Sequence, residues 1–516
     1  MIKFLRRTCR VFFSRYAISA MMIVAEVLII TLLLLANLYT SLSYLIALSI
    51  IFSFITFFVL VNREANPEYK VTWTFIVLGL PPIGGILYYL FYSRRMSRRE
   101  TKLIKKVMES HKPYEKSVEN FELLAERDPL AAGKALALFA DYTSAELYRD
   151  TASKFYGTGE ELFEDMLEDL KSAKEYIFLE YFIIDEGSLW DQIHAVLREK
   201  AATGVDVRVL YDDIGCMKTL PSHYEDGLRL EKIKTYRFAR VNPRVSSVHH
   251  NRDHRKICIV DGKCAYTGGV NIADEYINVE RRFGHWKDGG IRVEGAAVLG
   301  FLKIFLTAYD CTARKVSDYE SLEKSIYIPE KTDGGFYIPF ATGPAPIYKR
   351  PAGKNVFLNI INQATDYVYI TTPYLIIDFD LTGALCNAAL RGVDIRIITP
   401  GVADKKIIKI MTKSAYPKLM EAGVRIFEYT PGFIHEKTLV SDDKYAVIGT
   451  INFDYRSLVH HYEDAVWMYE TPAVADAKAE FKRTLTLSKE MDEKSARLSL
   501  LDKLIKSINK IFSPLL

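Results

Sequence analysis

One string of residues occurs twice in this chain, and the repeat constrains the fold more than any other feature. His254-Arg255-Lys256 is followed by four residues, Asp261, six residues, Gly268-Gly269, one residue and Asn271. His435-Glu436-Lys437 is followed by four residues, Asp442, six residues, Gly449-Thr450, one residue and Asn452. Each copy runs 17 positions from His to Asn, and the second begins 181 positions after the first. Identical internal spacing marks the copies as a duplicated half-site.

Each copy reads as a β-hairpin. Residues 256–260 (KICIV) and 437–440 (KTLV) are rich in apolar and β-branched residues, as strands are. Asp261-Gly262-Lys263 and Asp442-Asp443-Lys444 supply turns, and AYTGG and YAVIGT the returning strands. Side chains alternate along a strand, so His and Lys two apart share a face. The small Gly-Gly or Gly-Thr pair would let a substrate approach the returning backbone. One His, one cation and one amide on a surface suit a phosphate. A single His cannot be nucleophile and acid in one step, whereas two facing half-sites supply both roles.

The paired pattern HxK(x)4D(x)6G[GST]xN resembles the phospholipase D superfamily. The resemblance implies two similar α/β halves with mixed β-sheets whose motifs meet at their interface. The sequence outside the motifs repeats too. A helix opening at the capping box Thr158-Gly159-Glu160-Glu161 runs to about residue 174 and leads into YIFLEYFIID (176–185). A helix near 354–365 leads into YVYITTPYLIID (367–378). Each is followed by a helical stretch and a near-identical strand, GVDVRVLYD (204–212) or GVDIRIITP (392–400). Helix, strand, helix, strand, hairpin in both halves means two α/β domains, 151–330 and 331–486.

Ahead of them lie a basic tail (1–16), then two apolar stretches of about 20 residues each, 17–36 and 42–61. A third, residues 71–92 within the segment 62–92, is interrupted by Pro81-Pro82 and Gly84-Gly85. Arginines 6, 7, 10 and 15 precede the spans, and arginines 94, 95, 98 and 99 follow them. Cytoplasmic flanks are the basic ones, so both ends are expected inside and the number of crossings is even. The expectation is an N-terminal transmembrane helical hairpin over 17–61, with 62–92 re-entrant or interfacial. Residues 93–150 read as a charged helical linker. In the tail 487–516, Leu501, Leu504, Ile505, Ile508 and Phe512 share one helical face, with lysines on others. That pattern suits a helix on an anionic membrane surface as well as one docked on the enzyme.

Composition excludes several classes. The net charge is only +4 over 516 residues, and no basic run interleaved with aromatics forms a nucleic-acid groove. The six cysteines are scattered without a CxxC pair, which implies neither a zinc site nor a disulfide framework. No P-loop for a nucleotide is present.

Within the superfamily, the chain resembles the bacterial cardiolipin synthases over about 62–486. The carrying residues are NREANPEYKVTW with PPIGGILYYLF, GVDVRVLYDDIG, NRDHRK with GGVNIADEY, HWKD, TTPYLIID, and FIHEKTLV with GTINFDYRS. YLIID departs from the family, which more often has Pro before the Asp. The resemblance implies a catalytic set of His254, Lys256, Asp261, His435, Lys437 and Asp442. One His attacks phosphorus and the other protonates the leaving oxygen. By similarity the attacker is His254, although halves so alike leave the order open. Lys256, Lys437, Asn271 and Asn452 would bind phosphate oxygens. Asp261 and Asp442 would fix the hairpins rather than touch substrate, and Asp288 and Glu463 would orient histidines. No metal or other cofactor is implied; His249, His250, Asp253 and His254 resemble a metal cluster, but the two lysines already supply the charge. His460-His461 reads as loop.

The implied activity is cardiolipin formation from two phosphatidylglycerols in a bacterial cell membrane, by a multi-pass protein with cytoplasmic catalytic domains. The implied partners are phosphatidylglycerol and anionic membrane lipid, without nucleic acid. A phospholipase D-type hydrolase, a transferase to another alcohol and an inactive lipid-binding scaffold are the alternatives.

Overall fold

The computed structural model describes residues 41–63, 67–92, 98–141, 145–240, 251–344, 348 and 350–512. Contacts divide the chain into two units, one built on residues 1–95 and the other on residues 96–240 and 250–507. The expected first span, 17–36, lies outside the described residues.

In the first unit the helix Ser41–Val61 contains the stretch Tyr44–Val61, which is long and apolar enough to cross a bilayer. The third apolar stretch is not one helix. Pro67–Gly79 and Ile83–Tyr92 are separate helices, broken at Pro81-Pro82. They fold back on each other. The rings of Trp73 and Tyr88 have centroids 5.4 Å apart, whereas a continuous helix would separate the two residues by about 22 Å. Gly84 permits the return, because a Cβ there would lie 2.0 Å from the Ile76 carbonyl oxygen.

The second unit holds two halves. In the first, β1 (Thr151–Tyr156), β2 (Tyr176–Tyr181), β3 (Asp206–Asp212), β4 (Lys234–Phe238), β5 (Lys256–Val260), β6 (Cys264–Gly268), β7 (His285–Lys287) and β8 (Gly290–Gly295) follow in order. All but β7 form one mixed sheet, β4-β3-β2-β5-β6-β8-β1. The second half has β9 (Phe336–Thr342), β10 (Tyr367–Thr371), β11 (Leu375–Ile376), β12 (Asp394–Pro400), β13 (Arg425–Tyr429) and β14 (Gly432–Ile434). It continues with β15 (Thr438–Ser441), β16 (Tyr445–Gly449), β17 (Phe453–Asp454), β18 (Glu463–Tyr469) and β19 (Ser488–Glu490). Its sheet, β13-β12-β10-β15-β16-β18-β9, traces the same path with β19 added beside β13.

Local chemistry sets these elements. Thr158 caps the helix Gly159–Ser172 by accepting from the Glu161 N–H at 3.3 Å. β5 is buried along its length because it separates two cores: Ile257 and Ile259 face one, Cys258 and Val260 the other. The first of those cores runs on into the second half, joining Phe178 and Phe305 to Phe340 and Trp467. The helix Val298–Ala313 is buried for most of its length, and its Lys303 pairs with Glu146 at 2.6 Å. The helices of 98–141, read from sequence as a linker, belong to this unit. Asp128 accepts from Tyr469 Oη at 3.0 Å and pairs with Lys444 at 3.2 Å. In the tail, the helix Leu500–Phe512 leaves Leu501 and Leu504 exposed.

Candidate active site

The two motif copies enter the interface between the halves with their backbones paired crosswise. The His254 N–H donates to the Tyr462 carbonyl at 2.8 Å, and the Tyr462 N–H to the Arg252 carbonyl at 2.9 Å. In the mirrored place, the His435 N–H donates to the Lys287 carbonyl at 2.7 Å, where β14 runs parallel to β7. The residue after each accepting carbonyl is an acid, Glu463 or Asp288. His254 Nδ1 lies 2.8 Å from Glu463 Oε2, and His435 Nδ1 lies 2.7 Å from Asp288 Oδ2. Each histidine is therefore held by a carboxylate from the other half.

A carboxylate only accepts, so Nδ1 carries the proton in both rings and Nε2 keeps its lone pair. Lys437 Nζ also lies 2.9 Å from His435 Nδ1; that nitrogen has one hydrogen-bonding direction, and we assign it to Asp288. Burial, with Lys256 adding to it, holds His254 down to about 3 against the pull of Glu463. Burial and Lys437 hold His435 down to about 4. Burial opposes ionisation of Glu463, but His254 outweighs it and keeps that carboxyl well below the usual range. Asp288 is lowered in the same way, with His435 and Lys437 outweighing burial. The site at neutral pH thus holds two neutral imidazoles against two carboxylates.

The lysines point back into the same region. Lys256 Nζ donates to the His254 carbonyl at 2.6 Å, and Lys437 Nζ to that of His435. Burial brings Lys256 down to about 8 and Lys437 to about 7. Asn452 is buried, and its Oδ1 has no hydrogen-bond partner among the described residues. Asn271 differs: its Oδ1 accepts from the Ile183 N–H at 3.1 Å and its Nδ2 donates to Tyr276 Oη at 2.6 Å, leaving one amide hydrogen.

Asp261 and Asp442, counted with the catalytic set by motif, stand at the far ends of their strands, roughly 15 Å from the lysines by strand rise. Asp261 accepts from the backbone N–H groups of Lys174, Glu175 and Tyr176 at 2.6–2.8 Å. Asp442 accepts from those of Thr365, Asp366 and Tyr367 at 2.9–3.1 Å. Both bolt the hairpin turn to the start of the neighbouring strand.

The small residues after the hairpins also have a local reason that differs from the expected approach of substrate. A Cβ on Gly269 would lie 2.0 Å from Asp288 Oδ1. The equivalent Thr450 instead donates to Glu463 Oε2 at 2.6 Å, and Ser457 Oγ donates to Oε1 at 2.6 Å. Ser457 carries no sequence signal that separates it from a loop serine.

Sequence reasoning also missed the charges packed behind the motifs. Arg255 pairs with Glu180 at 3.0 Å and Asp253 at 2.8 Å. In the second copy the same position is acidic, and Glu436 meets Lys287 at 3.1 Å while Glu480 meets it at 2.9 Å. His461, read as loop, has its ring centroid 5.5 Å from that of His254 and its Nδ1 3.6 Å from Glu463 Oε1. His254, His461 and Glu463 offer donor atoms within 4.8 Å of one another. A cation there would have to displace the hydrogens that Thr450, Ser457 and His254 already direct at Glu463. His249 and His250, the other half of the expected metal-like cluster, lie outside the described residues.

Two α/β halves that exchange carboxylates across paired HxK motifs define a phospholipase D-like site. The family model described as cardiolipin synthase, PLD-like domain, matches residues 166–281 and 357–485, and that of the phospholipase D-nuclease N-terminal segment matches residues 50–91. A cardiolipin synthase of Geobacillus sp. (strain WCH70) is 32% identical over 480 residues, covering 92% of this chain and 94% of its own. A protein of Streptococcus mutans serotype c described as uncharacterized is 40% identical over 460 residues, covering 89% and 98%. The crystal structure of a phosphatidylserine synthase from Haemophilus influenzae Rd KW20 shares the fold, with a TM-score of 0.55 at 15% identity, covering 74% of this chain and 98% of that one. The chain belongs to the cardiolipin synthase family, and it is an enzyme of the phospholipase D superfamily.

Proposed function

We propose that this enzyme is an integral membrane phosphatidyltransferase that makes cardiolipin and glycerol from two molecules of phosphatidylglycerol. The observation that carries the reading is the pair of buried imidazoles, each with Nδ1 bound to a carboxylate of the opposite half. That arrangement leaves two Nε2 lone pairs to act in turn.

In the proposed cycle, His254 Nε2 attacks the phosphodiester phosphorus of the first lipid, and the bond to glycerol breaks. His435 takes up a proton at Nε2 as the anionic lipid enters between the halves, becoming an imidazolium held by Asp288, and gives that proton to the departing glycerol oxygen. The phosphatidyl group is then held on His254 as a phosphohistidine. The neutral His435 next takes the proton of a hydroxyl on the second phosphatidylglycerol, whose oxygen attacks phosphorus and frees His254. One phosphodiester replaces another, so no nucleotide is consumed. Lys256, Lys437, Asn452 and the remaining amide hydrogen of Asn271 would hold the non-bridging oxygens, where donors placed in advance stabilise developing charge most. Glu463 and Asp288 would stabilise each imidazolium as it forms. Asp261 and Asp442 would act only on the fold. The membrane hairpin over 17–61, with the catalytic halves on the cytoplasmic side, would keep the site beside its substrate.

The test is turnover of headgroup-labelled phosphatidylglycerol by purified protein in mixed micelles, reading both lipid and water-soluble products. Cardiolipin with free glycerol, both lost in His254→Ala and His435→Ala, is the expected result. Phosphatidic acid alone would make water the acceptor, and no turnover of any phospholipid would leave a lipid-binding scaffold.

A further inference from the structure

We propose that two lips of the active site form the surface that meets an anionic phospholipid bilayer and passes lipid inward. This rests on the lipid-transfer reading above and adds where the lipid enters.

β3 and β12 are equivalent strands, each lying between two parallel neighbours. Ligands of such sheets bind beyond the carboxyl ends of the strands. The chain leaving each of those ends exposes apolar side chains. After β3 these are Ile214 and Met217, 39% and 46% exposed; after β12 they are Val402 and Ile407, 38% and 49% exposed. Single exposed apolar residues are ordinary, but here a pair recurs at the same place in both halves.

Both lips reach a histidine through one aromatic ring. Gly215 is packed so closely on Phe182 that a Cβ would lie 2.0 Å from its carbonyl oxygen. The Phe182 ring centroid is 5.0 Å from that of His254. On the other side the Val402 N–H donates to the Gly432 carbonyl at 3.3 Å. Gly432 adjoins Phe433, whose ring centroid is 5.9 Å from that of His435. Each lip is thus joined to the segment that carries the aromatic ring beside a histidine, which sets a lipid docked at the lip next to the site that takes its phosphate.

The charge fits an anionic surface. Of the acids at the lips, Asp213 is neutralised by Arg237 at 3.0 Å, and Asp404 is half-buried and turned inward, accepting from Tyr374 Oη at 2.7 Å. The exposed charges next to the apolar residues along the chain are Lys218, Lys405 and Lys406. The short helix Lys406–Lys413 buries Met411 and Thr412 in the protein and turns Ile407 outward. Apolar side chains flanked by lysines are what an interfacial segment presents to a bilayer of anionic lipid.

The experiment compares two substrates with the full chain reconstituted in vesicles. One is long-chain phosphatidylglycerol in the vesicle, the other a short-chain phosphatidylglycerol that is monomeric in solution. In the double variant Met217→Glu/Ile407→Glu, turnover of the vesicle lipid should fall about tenfold or more, since two buried apolar contacts are lost. Turnover of the monomeric lipid should stay within about twofold of wild type, because the variant leaves the transition-state contacts in place. Met217→Leu/Ile407→Leu should keep both rates. Unchanged vesicle turnover in the glutamate variant would overturn the proposal, as would a parallel loss on both substrates, which would mean that the lips support the site itself. A wild type that turns over neither substrate would overturn the lipid-transfer reading, and the entry surface with it.

Discussion

Thr450 Oγ1 lies 2.6 Å from Glu463 Oε2, at the position where the first motif copy has Gly269. The two residues solve one problem in different ways. The long Glu463 needs a hydroxyl to hold it against His254, while the shorter Asp288 fills the space that a Cβ would take. Gly269→Ala should therefore push Asp288 off His435 and lower kcat about 10- to 100-fold with little change in KM. Thr450→Ala should cost less, because Ser457 still holds the other oxygen of Glu463. Steady-state kinetics on both variants, with thermal melts to confirm folding, checks the order.

Asp261 and Asp442 should behave as structural residues. Each accepts hydrogen bonds from three successive backbone N–H groups, and removing a charged acceptor leaves those donors without it. Asp261→Ala is expected to cost about 2–4 kcal/mol of stability. At a temperature where the variant is fully folded, its kcat should lie within about threefold of wild type, since no transition-state contact is removed. A kcat loss as deep as that of His254→Ala in folded protein would place the carboxylate in the chemistry instead.

Acid should destabilise the protein through the two histidines. Both titrate lower in the folded state, at about 3 and about 4, than the roughly 6.5 of an unfolded chain. Between those values the unfolded state binds more protons, so stability rises with pH there. The contribution is fully present above pH 6.5 and is lost as pH falls toward 4 and below. The lowered carboxyls of Glu463 and Asp288 act in the same direction at still lower pH. Melting temperatures measured from pH 7 to pH 4 should fall steeply for wild type and less steeply for His254→Asn/His435→Asn.

Much of this was legible in the sequence. The duplicated spacing implied two equal halves, and the sheets do follow one path twice. Pro81-Pro82 with Gly84-Gly85 marked the break where two helices fold back. Glu463 and Asp288 were found as acids near histidines, yet which histidine each holds was not readable. Spacing within a copy is the same whether a carboxylate serves its own half or the opposite one. The crossing depends on β7 pairing with β14 and on the bridge between Asp253 and Tyr462, contacts between residues about 150 to 210 positions apart that no local pattern encodes. Thr450 stood in plain view within the motif, but its hydroxyl acquires meaning only once Glu463 is placed beside it. The helices of 98–141 read as a linker because charge and helical period describe a solvated connector and a docked helix equally well.

Lys287 offers the last prediction, because it sits between two acids. Its ammonium meets Glu436 at 3.1 Å and Glu480 at 2.9 Å, and all three groups are buried. Burial alone would lower the lysine, but the two carboxylates prevail and raise it to about 12. Lys287→Met should leave Glu436 without its counter-charge, while Glu480 keeps Arg483, and destabilise the protein by about 3–5 kcal/mol at neutral pH. The variant should recover as pH falls, since protonating the stranded carboxylate removes the uncompensated charge. Lys287→Met/Glu436→Gln should regain part of the loss at neutral pH, because the stranded carboxylate is gone and Glu480 still has Arg483. Chemical or thermal unfolding of the three proteins at pH 7 and pH 5 measures this directly. An unfolding midpoint for Lys287→Met that matches wild type at pH 7 would show that water reaches the pair and that the cross-half ion triad contributes little to joining the halves.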